Sequence, residues 1–507
     1  MEQFRTASPE SAGVKSERVH AFLQRLEAAD LATHDVLLAR GHDLFLEKYY
    51  PPFTPEMTHR MYSVTKSFVS LAVGFALQDG LLSLDDPMEK FFAAELGPDA
   101  DPERRAQTVR NMLMMSTAKS DRNWFSARHP DRVAFYFANP NPPRPAGTIF
   151  EYDSTGSFVL GALVERLTGK KLLDYLREKA FDKMGFSDAA HILTCPGGHS
   201  WSDSALLCTP MDLLKTARFV LNGGSWDGEQ LLDADYVRDA TSPLIANDIL
   251  NSAEWEAQGY GYLIWIGPDG SWFFNGMGCQ FAVGVPDLDL IMVYNGDNQG
   301  RTFAKDVIFH AFEEEIVLPL RKTGGASLPE DAAAAAALHD YADSLILAVD
   351  KGAANTPMAE KVDGVTYTLN ENPMGITRFT LTFAPDGTGC FAYTNAQGEK
   401  QLPFGLGKNV FGTFPQTGYS EEVGSVSCPG HRYGCAVSGA WLSAYQFHLR
   451  VQIIDDYFGT LEVLLGFTAD GRSVTLRMNK TAEDFLEEYN GTAVGRSIVS
   501  KPYGIAE

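Results

Sequence analysis

A chain of 507 residues is longer than one compact core usually holds, so two domains are expected. Hydrophobic residues make up 45% and charged residues 21%, which suits a folded globular protein and excludes a disordered polymer. The 42 Lys and Arg against 65 Asp and Glu leave a net charge of −23; that charge repels nucleic-acid phosphates and anionic membranes, so neither is an expected partner.

Met1 to Ala29 lacks the positive start and unbroken apolar stretch of a secretory signal. No run of about 18 apolar residues occurs, so no membrane span is expected and the expected location is the cytoplasm. Val36 to Arg40, Gly41-His42-Asp43 and Leu44 to Tyr49 read as a strand, a tight turn and a second strand. From Ser63 through Phe68, Val69, Leu71, Ala72, Phe75, Ala76 and Leu77 the chain is apolar nearly all round, which predicts a buried helix stopped at Asp79-Gly80. Between Arg104 and Gly223 the pattern is mainly helical, most clearly from Gly156 to Leu167. Tyr262 to Ile266, Ser271 to Phe274, Gln280 to Val285 and Leu290 to Asn295 predict an antiparallel sheet, covered by a helix from Phe303 to Val317.

Ser327, Pro329 and Glu330 precede an alanine run from Ala332 to Ala337, so residues 322–354 are expected to form a linker helix after a first domain over 1–321. Beyond it, Arg378 to Phe383, Phe391 to Thr394, Tyr445 to Ile454, Leu461 to Phe467 and Val474 to Met478 alternate like strands. Asp386-Gly387, Gln397-Gly398 and Asp470-Gly471 supply turns between them. These segments predict an all-β domain over 355–507, a small barrel or sandwich with no assigned role. The six cysteines are scattered and read as free thiols; Cys428 and Cys435 flank His431 without a second pair, so no metal site is expected.

Ser63-Val64-Thr65-Lys66 places a hydroxyl and an amine three residues apart, on one helical face. A serine is a weak nucleophile, and a lysine desolvated by apolar neighbours is a base that can take its proton. A helix N-terminus also offers peptide N–H groups to developing negative charge. Ser116-Thr117-Ala118-Lys119 repeats the pattern, but the polar Ser120-Asp121-Arg122-Asn123 follows it, so Ser63 is the expected nucleophile. Tyr152-Asp153-Ser154 stands on a loop between the Pro145-Ala146-Gly147 turn and the next helix, where a phenol can serve as a general base. Gly223-Gly224-Ser225-Trp226-Asp227 misses the final glycine of a nucleophile elbow and reads as a turn, while His34, His191 and His199 have no metal-ligand spacing.

Together, Ser63-Val64-Thr65-Lys66, Tyr152-Asp153-Ser154 and a glycine-rich turn before a late strand resemble the penicillin-recognising serine hydrolases, the class C β-lactamases, DD-peptidases and related esterases. The resemblance extends over roughly residues 10–320 and leaves out the C-terminal domain. It implies an α+β fold of the β-lactamase/transpeptidase type, with an antiparallel sheet packed by helices and an all-helical subdomain. By the same resemblance Ser63 is acylated, Lys66 takes its proton, Tyr152 shuttles the proton to the leaving group, and Ser154 is the polar partner of that network. Phe274-Asn275-Gly276 falls where β-lactamases carry Lys-Thr-Gly. Asn275 and Gly276 are then expected to meet substrate, and Met277 to supply an oxyanion-hole N–H together with that of Ser63.

The function expected is hydrolysis of a small ester or amide through an acyl-enzyme, with a small-molecule substrate as partner and neither metal nor cofactor. The oligomeric state is left open. The alternatives are a D-amino-acid peptidase, a weak β-lactamase or an acyltransferase of the same fold, and a binding or sensor protein that does not turn over.

Overall fold

Apolar segments at the start of the chain and again between Trp265 and Gly296 pair into one sheet, although more than two hundred residues separate them. The computed structural model describes residues 4–118, 131–139, 142–195, 197–249, 253–416, 432–482 and 486–498. Lys119, the 120–123 turn, Cys428 and His431 therefore lie outside the described residues.

The hairpin expected from the alternating pattern spans Thr33–Arg40 and Asp43–Tyr49, with Arg40 opposite Asp43 across a two-residue turn in which Gly41 takes φ +55°. Leu290–Gly296 pairs antiparallel with the Thr33 strand, then follow Gln280–Val285, Trp272–Gly276 and the short Trp265–Ile266 at the far edge. The strand expected over Tyr262 to Ile266 is shortened to those last two residues. Leu263 takes φ +55° and its N–H donates to the Leu113 carbonyl, which takes it out of the ladder.

Helices Ser16–Ala28 and Ala304–Phe312 lie together, and Phe309 inserts between Trp255, Phe273 and Phe281. Pro210–Leu221 packs against the Gln280 and Leu290 strands. The helical subdomain centres on Thr65–Gln78 against Ser154–Thr168. The Thr65 helix ends at Asp79 with Gly80 at φ +71°, a left-handed residue at the C-terminus that only glycine adopts without strain. Ser225–Trp226 and Glu229–Gln230 form a small hairpin, so no strand delivers Ser225 as an elbow.

The alanine-rich segment is helical over Ala332–Ser344, capped by the Asp331 carboxylate, and packs on the Ser16 helix with Tyr341 4.5 Å from His20. The chain divides into two compact units between Ile346 and Leu347.

In the second unit ten strands form one sheet that runs in order from Gly398–Leu406 through Thr388–Asn395, Arg378–Phe383, Thr366–Leu369, Gly491–Ser497, Ser473–Ala482, Phe458–Phe467 and Gln446–Ile454 to Gly434–Ser443 and Val410–Thr413. Parallel pairing of Gly405 with Ser438 closes the sheet into a barrel. Its interior is filled by every second residue, as in Leu461, Val463 and Leu465, with the rings of Tyr367, Phe379, Phe391 and Tyr393 in contact over three neighbouring strands. Among the described residues no helix is long and apolar enough to cross a membrane.

Candidate active site

Ser63, the expected nucleophile, is presented by a turn, not by the α-helix itself. Tyr62–Val64 is one turn of 3-10 helix, and the α-helix begins at Thr65. Tyr62 takes φ +46°, a conformation a bulky residue adopts only when its surroundings force it. Those surroundings are explicit. The Tyr62 ring is buried under the Arg60 guanidinium at 5.0 Å, the Tyr62 carbonyl accepts the Thr65 hydroxyl at 2.6 Å, and Met61 N–H donates to Leu206 at 2.8 Å. Ser63 is thereby held at the head of the helix, half-buried, at the positive end of the helix dipole.

The three-residue spacing brings Lys66 to Ser63 as expected: Nζ lies 2.9 Å from Oγ, and its second hydrogen bond, 2.7 Å, goes to the Asp203 carbonyl. Lys66 is 2% exposed. Its Nζ faces the Tyr152 ring, 5.1 Å from the centroid. Tyr152 itself is 39% exposed and stacks on Trp265 at 5.9 Å, so it stands between the buried lysine and solvent.

The loop that carries Tyr152 is fixed by its neighbour. Asp153 caps the Ser154–Thr168 helix through the Gly156 N–H and accepts the hydroxyls of Thr155 and Thr117 at 2.8 and 2.9 Å. Burial pushes the Asp153 carboxyl up, against the pull of those bonds. The second Ser-x-x-Lys stretch thus supports this loop: Thr117 bonds Asp153, and Ser116 is buried with its hydroxyl donating to Asn111. Ser154 is the first residue of the helix, and no hydrogen bond joins it to Ser63, Lys66 or Tyr152 among the described residues. The polar partner of Lys66 is the Asp203 carbonyl instead, because the segment carrying Asp203 lies beside the lysine.

The third motif lies on Trp272–Gly276, which packs against the nucleophile turn. A Cβ at Gly276 would lie 2.5 Å from the Met61 carbonyl oxygen, so only glycine permits this approach. Met277 follows the last ladder pair, Gly276 with Gln280, and its peptide N–H falls in the turn beyond the ladder. Phe274 is fully buried against Trp272. Asn275 points the other way along the strand, and its amide donates at 2.7 Å to Glu256, which is also paired with Lys305.

Residues that belong to no motif complete the site. Trp265 backs Tyr152, and Lys305 and Glu256 bring a paired charge to Asn275. Asp203 is fully buried, and burial pushes its carboxyl up to about 6 while Lys66, Arg132 and Arg60 pull it down. Its one sequence signal is an acid in Trp201-Ser202-Asp203-Ser204, just before the apolar Ala205-Leu206-Leu207. His34 and His59 form a buried pair elsewhere, 2.8 Å apart, and His199 bonds Glu165 at 2.8 Å.

The beta-lactamase family profile matches residues 21–311, which include every one of these side chains. The chain belongs to the beta-lactamase family. Within the family it is similar to the 6-aminohexanoate-dimer hydrolase of Paenarthrobacter ureafaciens, 25% identical over 42% of this chain and 58% of that protein. The chain thus spans less than two thirds of that relative's length. Among solved structures it resembles the octameric penicillin-binding protein homologue from Pyrococcus abyssi, with 16% identity, a TM-score of 0.48, and 94% of this chain and 99% of that one covered. It also resembles EstCE1, a hydrolase with promiscuous acyltransferase activity, with 15% identity, a TM-score of 0.48, and 58% of this chain and 97% of that one covered.

Proposed function

We propose that this member of the beta-lactamase family is a serine hydrolase that works through an acyl-enzyme on a small ester or amide. The observation that carries the reading is the buried Lys66 Nζ 2.9 Å from Ser63 Oγ, beneath a solvent-facing Tyr152. Ser63 Oγ attacks the substrate carbonyl and its proton passes to the Lys66 amine. The oxyanion is held by the peptide N–H groups of Ser63 and Met277, a pairing supported by the close approach that Gly276 allows. Tyr152 then conveys the proton to the leaving alkoxide or amine, and afterwards takes one from the water that cleaves the acyl ester.

The third motif bears on the choice of substrate. Phe274 is core, and the ammonium next to Asn275 is already met by the Glu256 carboxylate. A substrate carboxylate therefore gains no uncommitted cation there, a loss of about 1.5–3 kcal/mol, or roughly tenfold to a hundredfold. Neutral esters and amides are favoured over β-lactams. The named substrate of the Paenarthrobacter relative, a 6-aminohexanoate dimer, makes linear amides the second class to assay.

An activated phosphonate should label Ser63 alone by peptide mapping, and Ser63→Ala should abolish turnover of nitrophenyl butyrate. Labelling elsewhere, or full activity in the variant, refutes the reading. A higher kcat/KM for a chromogenic cephalosporin than for the ester refutes the substrate preference.

A further inference from the structure

We propose that the Asp203 side chain is a positioning residue for the reaction, the counter-charge that lets Lys66 accept the Ser63 proton; this rests on the hydrolase reading above. Lys66 Nζ donates at 2.7 Å to the Asp203 carbonyl, so the backbone of this residue touches the lysine, and its carboxylate, though not ion-paired with Lys66, is within electrostatic reach of it. The next carbonyl, that of Ser204, accepts Arg60 Nε at 3.0 Å. Arg60 and Arg132 lie over the Trp201 ring at 4.7 and 5.3 Å.

Three buried cations thus converge on one short segment. Arg60 comes from the strand before the nucleophile, Arg132 from the Arg132–Phe137 helix and Lys66 from the Thr65 helix. Asp203 is 0% exposed, and neither of its carboxylate oxygens has a hydrogen-bond partner among the described residues. The other titratable groups around it are Cys195, whose thiol burial pushes far above its ordinary range, and Glu165, which holds His199.

A buried carboxylate that finds no hydrogen-bond partner on another described residue is costly, and packing alone gives no reason to keep one. Its electrostatic role supplies the reason. When Lys66 takes the proton, the Asp203 anion, whose charge Lys66 already feels, offsets the new positive charge. Burial holds the Asp203 carboxyl at about 6, so the offset disappears as pH falls through that value.

Asp203→Asn keeps the backbone carbonyl and the side-chain volume while removing the charge. Its kcat should fall about 10- to 1,000-fold with KM little changed, the effect of a neighbouring charge worth one to three pH units. The break near pH 6 in the wild-type kcat profile should vanish from the variant, and Asp203→Glu should restore part of both. A purely structural role would lower the melting temperature and leave the break in place. Phosphonate labelling of wild-type Ser63 separates the two hypotheses. If Ser63 is not labelled, the hydrolase reading fails; if it is labelled and Asp203→Asn keeps the wild-type kcat or the same pH break, this proposal is overturned.

Discussion

Gly276→Ala tests the site at its tightest point. A methyl carbon there would sit 2.5 Å from the Met61 carbonyl oxygen and 2.9 Å from Gln280 Cβ. An ordinary contact needs about 3.4 Å, so the Trp272–Gly276 strand has to retreat by about 0.9 Å from the nucleophile turn. Met61 cannot yield easily, because its N–H is tied to Leu206 and it precedes the constrained Tyr62. The retreat carries Met277 N–H away from the proposed oxyanion position. Losing one such donor costs about 10²–10³ in kcat, and a displacement of this size elsewhere costs about 10². Overpacking should also destabilise the fold by about 1–3 kcal/mol. Steady-state kinetics on nitrophenyl butyrate, with urea unfolding and the rate of Ser63 phosphonylation, separate these effects. The expected result is a kcat lowered about 100-fold in folded protein, with slowed labelling. A wild-type kcat in a variant that is destabilised but folded would show that the strand does not form the oxyanion hole.

Tyr152→Phe should lower turnover by about 10² without changing the melting temperature, since the ring keeps its stack on Trp265 and only the proton-carrying hydroxyl is lost. Asp35 is buried beside Asn295 and its carboxyl is pushed up to about 8 from an ordinary 3.8, so its stability contribution is complete below about pH 4 and is lost as pH rises through 8. Asp35→Asn should therefore gain on the wild type in urea unfolding as pH is raised from about 5 to about 9, and a constant difference would refute the assignment. His59 has the opposite sign: its Nδ1–H donates to the Arg60 carbonyl, its Nε2 accepts from His34, and burial lowers it to about 3. Stability should be complete above about pH 6.5 and fall as pH drops toward 3, and His59→Gln should flatten that loss; equal acid sensitivity in the two proteins would sink the claim.

Much of the first unit was legible because its signals are local. The alternation in Val36 to Tyr49 and Gln280 to Asn295 marked strands that the structure reproduces with small changes at their ends. The apolar run after Ser63 marked the central helix, although Ser63 itself proved to sit in a preceding 3-10 turn. Strands such as Gly434–Ser443 and Gly398–Leu406 escaped detection. The first is buried along most of its length, and the second carries Lys, Gln and Pro on a weakly alternating pattern.

The sequence by itself determined the Ser63–Lys66 contact, because residues three apart at a helix start are neighbours whatever the rest of the chain does. It also determined that Tyr152 stands at a helix entrance, since Asp153 is a strong N-cap. Only the tertiary structure decided that Asp203 supplies the second acceptor for Lys66, that Trp265 backs Tyr152, and that Glu256 and Lys305 occupy Asn275. Those partners lie far apart along the chain. Spacing encodes geometry only within a helix, a strand or a turn, whereas contacts between elements depend on how their buried faces pack, and that information is spread over the whole core.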